Sequence, residues 1–228
     1  LTSPGLAFAL QDNSGYQLNT VNQSGLNFSF TGDRTITVGD IGLGAGTLAL
    51  TSTAGHILGT PTGQLTASQI TLSAAGGDGR TGAIGSSAQA LRTQTAALIA
   101  TSGSGGIYVN NSGTLNLKAI DTTGSLVAQT SAHLTLGDIK AGSATLTSLL
   151  GTIVDDGNDA TSISTASLTL SAELGIIGGP ARAIKTNAST VSANAGLGGV
   201  YLDSTSTNLN ITQAQANGGP IVITGAGS

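Results

Sequence analysis

The chain is written almost twice. Gly39-Asp40-Ile41 returns as Gly137-Asp138-Ile139, 98 residues on (137 − 39). Thr35-Ile36-Thr37-Val38 precedes the first and His133-Leu134-Thr135-Leu136 the second. Leu48-Ala49-Leu50-Thr51-Ser52 answers Ala144-Thr145-Leu146-Thr147-Ser148, and Ile70-Thr71-Leu72-Ser73-Ala74 answers Leu168-Thr169-Leu170-Ser171-Ala172. Farther along, Ile84-Gly85 matches Ile177-Gly178, and Gly105-Gly106-Ile107-Tyr108-Val109 matches Gly198-Gly199-Val200-Tyr201-Leu202, both 93 apart (177 − 84 and 201 − 108). Asn13-Ser14-Gly15 matches Asn111-Ser112-Gly113, and Leu115-Asn116-Leu117 matches Leu209-Asn210-Ile211. Two long copies, about 15–112 and 113–213, therefore occupy most of residues 1–228. Such self-similarity limits the fold to units that stack or are strung together.

Within each copy a shorter rhythm runs. Thr47-Leu48-Ala49-Leu50, Gln69-Ile70-Thr71-Leu72, Ile107-Tyr108-Val109 and Thr114-Leu115-Asn116-Leu117 alternate with period two and are bounded by Gly, Ser, Asn or Asp. That is strand periodicity. Residues 88–100 form the one ambiguous window, and their Thr content favours strand. At roughly 20 residues per coil, a scale common among repeat folds, each long copy supplies four or five coils. The expectation is all-β: a parallel β-helix (β-solenoid) of about ten short coils, a single unit over 1–228, with equivalent strands stacked ~4.8 Å apart in a rod on the order of 50 Å long. The chain starts and stops without obvious capping sequence, as a segment excised from a longer array would.

Composition supports a thin core. The chain has three Phe, three Tyr, no Trp and no Met, yet 39% of its residues are hydrophobic. Leu, Ile, Val and Ala must fill the interior, with Thr, Ser, Asn and Gln outward on the pleated faces. The 35 glycines suit corners that need positive φ; Gly55, Gly85, Gly106, Gly151, Gly178 and Gly199 fall at paired corner positions. Immunoglobulin-like modules could also repeat near 100 residues, but the strands are too short and numerous and the core Trp is missing. A membrane barrel needs longer strands and aromatic girdles. No apolar run approaches a membrane helix, and no secretory signal pattern opens the chain.

These runs, above all Ile70–Ala74 through Gly85, Leu168–Ala172 through Gly178, and the Gly-Gly-Ile-Tyr-Val element with its copy at 198, resemble the repeats of filamentous-haemagglutinin-like exoproteins. That family comprises large adhesins of Gram-negative bacteria, commonly exported by two-partner secretion. The resemblance implies a right-handed parallel β-helix, an extracellular or cell-surface location, and roles in attachment, aggregation or biofilm. The family's N-terminal secretion domain has no counterpart in this sequence.

No catalytic, cofactor or metal residues are assigned. The densest acidic cluster, Asp155-Asp156-Gly157-Asn158-Asp159, lacks EF-hand spacing and its closing Glu, and reads as a solvated loop rather than a calcium site. Gly76-Gly77-Asp78-Gly79 is one fragment of a calcium-binding nonapeptide. Asp40 and Asp138 read as turn or ladder caps. His56 and His133 lie at non-equivalent places with no neighbouring His or Cys. Arg92 and Lys185, 93 apart (185 − 92), suggest a surface stripe; Tyr108 and Tyr201 read as core or corner-packing aromatics, with stacking on a sugar ring as the alternative. The seven basic residues are scattered and net charge is −4, which speaks against nucleic acid. Sparse Thr-x-Thr pairs speak against ice binding. The expectation is a structural and adhesive rod that needs no cofactor and does not insert into membranes. Its partners would be polysaccharide, a host surface, another copy of itself, or flanking repeats of the same polypeptide. The alternatives are a polysaccharide lyase or hydrolase, which needs clustered acids in a groove, and a spacer stalk.

Overall fold

A computed structural model describes residues 7–11 (backbone only), 15–77 and 80–225. It is all-β: short strands pair in parallel with strands one coil away. One inward column runs the length of the rod: Tyr16, Ile36, Ile57, Ile84, Ile107, Leu126, Ala144, Leu168, Val191 and Ile211, each paired with the next. Ten members mean about ten coils, as the repeat arithmetic predicts. The coil length varies, from 18 residues (Ser125 to Ser143) to 28 (Gln69 to Ala97), because the turns differ while the rungs do not.

Each coil contributes one rung to each of two ladders. Ladder I contains Gly15–Asn22, Ile36–Gly42, Gly106–Asn111, Ser125–Thr130, Thr190–Ala195 and Asn210–Ala216. Ladder II contains Phe28–Gly32, Thr47–Ser52, Gln69–Ala74, Ala97–Ser102, Leu115–Thr122, Val200–Ser204 and Ile221–Gly225. The strands Leu134–Ser148 and Ile163–Ala172 pass from ladder II into ladder I without a break. At the start of the rod Ala7–Gln11 pairs antiparallel with Gly15–Asn22.

The long repeat spans about four and a half coils, and the half coil matters. Four coils above Ile36 stands Leu126, still on ladder I. Its sequence match Leu134 lies on ladder II, in the column Leu115, Leu134, Ile153, Ile177, Val200, Ile221. Ile84 and Ile107 on ladder I likewise have their matches, Ile177 and Val200, on ladder II. The exchange also runs the other way: Leu48 and Ile70 are on ladder II, Ala144 and Leu168 on ladder I. The second copy is thus turned half a revolution from the first.

The core is a stack of aliphatic layers. Leu48, Ile70, Leu98, Leu117 and Leu136 follow one another in register, none more than 2% exposed. Each such side chain contributes on the order of 1.5–3 kcal/mol by leaving water, but only when the coils on both sides are present.

Hydroxyls are not confined to the outside. Regular rungs have three inward positions, and the third is often Ser or Thr: Ser52, Ser102, Thr130 and Ser148 are all buried. The chain turns there, and turn carbonyls pointing inward need donors. Ser52 Oγ donates to the Arg34 carbonyl at 2.7 Å, Ser148 Oγ to that of Ala132 at 2.6 Å, and Thr130 Oγ1 to that of Gly113. Asn111 is the most heavily used. Its Oδ1 accepts from Thr93 Oγ1 (2.9 Å) and the Thr95 amide (3.0 Å), and its Nδ2 donates to the carbonyls of Ser112, Gly113 and Thr114.

The paired glycines divide by cause. Gly85, Gly106 and Gly178 have positive φ, as corners require. Gly55, Gly151 and Gly199 do not, yet a Cβ there would stand 2.2 Å from Thr35 N, 2.7 Å from His133 N and 2.6 Å from Pro220 O. For these three the constraint is the close passage of the neighbouring coil.

Three outcomes follow from this packing. Gly106→Val places a side chain on φ +81° with its Cβ 2.5 Å from the Ser125 carbonyl. Torsion alone costs about 1–2 kcal/mol, so the melting temperature should fall by about 2–8 °C or more. Gly113→Ala, at φ +95° with open space around it, should cost less; equal melts for wild type and Gly106→Val would contradict the corner. Asn111→Ala should destabilise by about 1–3 kcal/mol in urea unfolding, the range for orphaned buried polar groups. At the first described coil, the Tyr16 hydroxyl donates to Asp33 Oδ1 at 2.7 Å, and the ring meets Phe30 edge-on. This bond lowers the Asp33 carboxyl below its ordinary 3.8 and raises the Tyr16 phenol above 10.0. A depressed acid stabilises above its ordinary value and loses that contribution as pH falls through the lowered one; a raised phenol stabilises below 10.0 and loses it as pH rises through the raised value. Amide exchange at Leu18 and Ile36 should therefore accelerate in Tyr16→Phe near neutral pH, with the difference lost as pH falls through the lowered Asp33 value.

Candidate functional site

Among the described residues, the strongest assembly of charge is the loop between Ile153–Asp155 and Ile163–Ala172. Asp155 Oδ1 accepts the Gly157 amide at 2.8 Å, Asp156 Oδ1 that of Asn158 at 2.9 Å, and Asn158 Oδ1 that of Ala160 at 3.1 Å. Each is a side chain bonding the backbone two residues on, the Asx-turn habit of Asp and Asn. Thr161 Oγ1 adds a bond to Asp156 Oδ1 at 2.8 Å.

The next coil brings two cations to the loop. Arg182 Nη1 lies 3.5 Å from Asp155 Oδ1 and 3.2 Å from Asp159 Oδ1. Lys185 Nζ donates to the Asp159 carbonyl at 2.8 Å and lies 3.4 Å from its Oδ1. With Asp203 these groups line a recess of about 340 Å³. In the linear sequence Arg182 and Lys185 look scattered; only the coil register sets them against Asp155 and Asp159. Oxygens already held by backbone amides and facing two cations make a poor calcium ligand set. Among the described residues no three His, Cys, Asp or Glu side chains are grouped to hold a metal ion. Of the Gly76–Gly79 fragment, Asp78 and Gly79 lie outside the described residues.

Other singled-out residues serve the ladders. Asp40 Oδ1 accepts the Gln64 amide at 3.1 Å, which makes it a ladder cap. Asp138 is exposed in the rung facing Ala119. His56 and His133 are not matched by the repeat, yet they do the same job. His56 Nδ1 accepts the Ala83 amide and His133 Nδ1 the Thr152 amide, both at 3.1 Å from the following coil. Each precedes the first inward residue of a rung, Ile57 or Leu134.

Two expectations are corrected. Arg92 and Lys185 form no stripe: Arg92 pairs with Asn110 on ladder I, Lys185 with Asp203 on ladder II. The half coil in the repeat carries them to different ladders. Tyr108 and Tyr201 are not corner or core residues either. They occupy outward positions within Gly106–Asn111 and Val200–Ser204, partly covered and partly exposed. Each ring lies across the glycine two residues before it, with Cε2 3.2 Å from a Cβ placed on Gly106 and 2.8 Å from one placed on Gly199.

The remaining surface is mostly short hydroxyl and amide side chains. One apolar strip interrupts it: Leu150, Leu174 and Leu197, 67%, 51% and 66% exposed, two residues beyond the paired Ser148, Ala172 and Ala195. A larger recess of about 660 Å³ is lined by Ser73, Arg80, Thr101, Ser102, Ser104 and neighbours. Comparison with protein-family models, with curated proteins and with solved structures returned no match to this chain.

For the acidic loop, the expected result of a calcium titration by calorimetry is a flat trace. Saturable heat that disappears in Asp155→Asn/Asp159→Asn would show that the loop exchanges its cations for calcium.

Proposed function

We propose that the chain is a structural and adhesive rod segment of a secreted or cell-surface bacterial exoprotein of the filamentous-haemagglutinin-like kind. The observation that carries this reading is the division of the molecule into a continuous aliphatic interior and two extended outer faces of short, mostly uncharged polar side chains. A stacked solenoid gains length without changing cross-section. Outward groups recur along the rod, so weak contacts are multiplied by valency rather than concentrated in one deep pocket. Attachment, aggregation and biofilm formation are the activities such a surface serves, with polysaccharide, a host surface or another copy as partner. Further coils of the same polypeptide would extend both ladders. No membrane insertion or nucleic-acid contact is required.

Among the described residues, the acidic recesses open to the polysaccharide-enzyme reading are a small one lined by Asp121, Asp138 and Lys140 and the recess where Asp155, Asp159 and Asp203 meet Arg182 and Lys185. There Arg182 bridges Asp155 and Asp159, and Lys185 binds Asp159. A catalytic acid–base pair needs groups turned toward substrate.

Deleting the whole parent gene in the source bacterium is expected to reduce aggregation and surface attachment, with growth unchanged. Undiminished attachment would remove the adhesive reading and leave a spacer. Incubation of the chain with plant and bacterial polysaccharides should release no reducing ends or unsaturated products; release abolished by Asp159→Asn/Asp203→Asn would establish the enzyme instead.

A further inference from the structure

Two outward clusters, one on each ladder, are made of matching residues. On ladder I, Tyr108 stands beside Val127 of the next coil, and Asn110 between Arg92 of the coil before and Gln129 of the coil after. On ladder II, Tyr201 stands beside Val222, and Asp203 between Lys185 and Thr224. The same five kinds of group recur: an aromatic, a valine, a cation, an amide or carboxylate, and a second hydrogen-bonding side chain. Even the backbone beneath is the same. Gly85 and Gly178 both turn at φ +66°, with a Cβ position 2.4 and 2.3 Å from the carbonyl oxygens of Tyr108 and Tyr201.

The stacking of coils does not call for this set. At the next rung outward of Val127, ladder I carries Thr145, and beyond it Thr169. A partly exposed tyrosine whose ring rests against glycine offers an apolar ring with a polar tip. Around it are groups that both donate and accept hydrogen bonds. A pyranose ring presents the complement, an apolar C–H face bordered by hydroxyls. The Tyr108 cluster holds one cation, Arg92, beside Asn110, and in the Tyr201 cluster Lys185 is already bound to Asp159 and neighbours Asp203, so neither gathers the paired cations that would select a sugar acid. That favours a neutral sugar over an acidic one.

We propose that Tyr108 and Tyr201 are two equivalent seats for pyranose rings of a neutral polysaccharide. Because they stand on different ladders about four and a half coils apart, roughly 22 Å along the axis, one rod joins two glycan chains. The proposal rests on the adhesive reading and gives it a ligand class and a geometry: cross-linking rather than one-sided attachment.

The test uses the 228-residue chain, a panel of neutral oligosaccharides of glucose, galactose and mannose, and beads coated with the same sugars. Saturation-transfer NMR and tyrosine fluorescence titration should find two seats per chain for at least one sugar. Tyr108→Ala or Tyr201→Ala should each halve the capacity, still bind beads, and no longer clump them. The double variant should lose binding, and the double Tyr→Phe variant should keep it; circular dichroism checks that all fold alike. Absence of binding by the wild type at millimolar sugar, wild-type binding by the double Ala variant, or clumping by either single Ala variant would each overturn the proposal. If the seats fail while deletion of the parent gene still reduces attachment, the adhesive reading survives without them.

Discussion

Every part of this molecule depends on lengthwise pairing of one coil with the next. A single coil of about 20 residues encloses almost nothing, and its backbone amides and carbonyls point along the rod axis toward neighbours it must have. Stacking answers both demands at once. The parallel ladders satisfy the backbone, and the same spacing brings Leu48 over Ile70 and Ile36 under Ile57. The aliphatic columns and the hydrogen-bonded ladders are one structure seen from inside and from the edge.

That dependence explains where variation is tolerated. Between Gln69–Ala74 and Ala97–Ser102 the chain inserts additional turn residues, yet the rungs still meet residue for residue. Turns lie outside the columns and can lengthen freely. Rung ends cannot, since the chain must bend there without leaving inward carbonyls unpaired. Ser52, Thr130, Ser148 and Asn111 meet that need. Glycine meets a second need, where a Cβ would strike the coil passing alongside.

The consequence is a rod that carries matching groups on two outer faces. A repeat of whole coils would set all its copies in one line down one side. The half coil here turns each successive copy, so outward groups from matching sequence alternate between ladders. Under the proposed adhesive role, such a rod would meet partners on two sides.

Much of this was legible in the amino acids alone. The period-two runs, the scarcity of aromatics and the long repeat determine a parallel solenoid of about ten coils, because few other folds use many short aliphatic strands of one kind. Corner glycines at 85, 106 and 178 were legible for the same reason. The sequence could not say that the long repeat ends half a coil out of phase, since that depends on the summed lengths of all intervening turns. For that reason Arg92 and Lys185 read as one stripe and stand on two ladders; the outward place of Tyr108 and Tyr201 was instead implicit in the period-two alternation of Ile107-Tyr108-Val109 and Val200-Tyr201-Leu202. Arg182 and Lys185 reach Asp155 and Asp159 only through the coil register, and buried hydroxyls such as Ser148 look in sequence like any surface serine. Period and residue size determine the fold; phase, which accumulates over the whole chain, decides what each face presents.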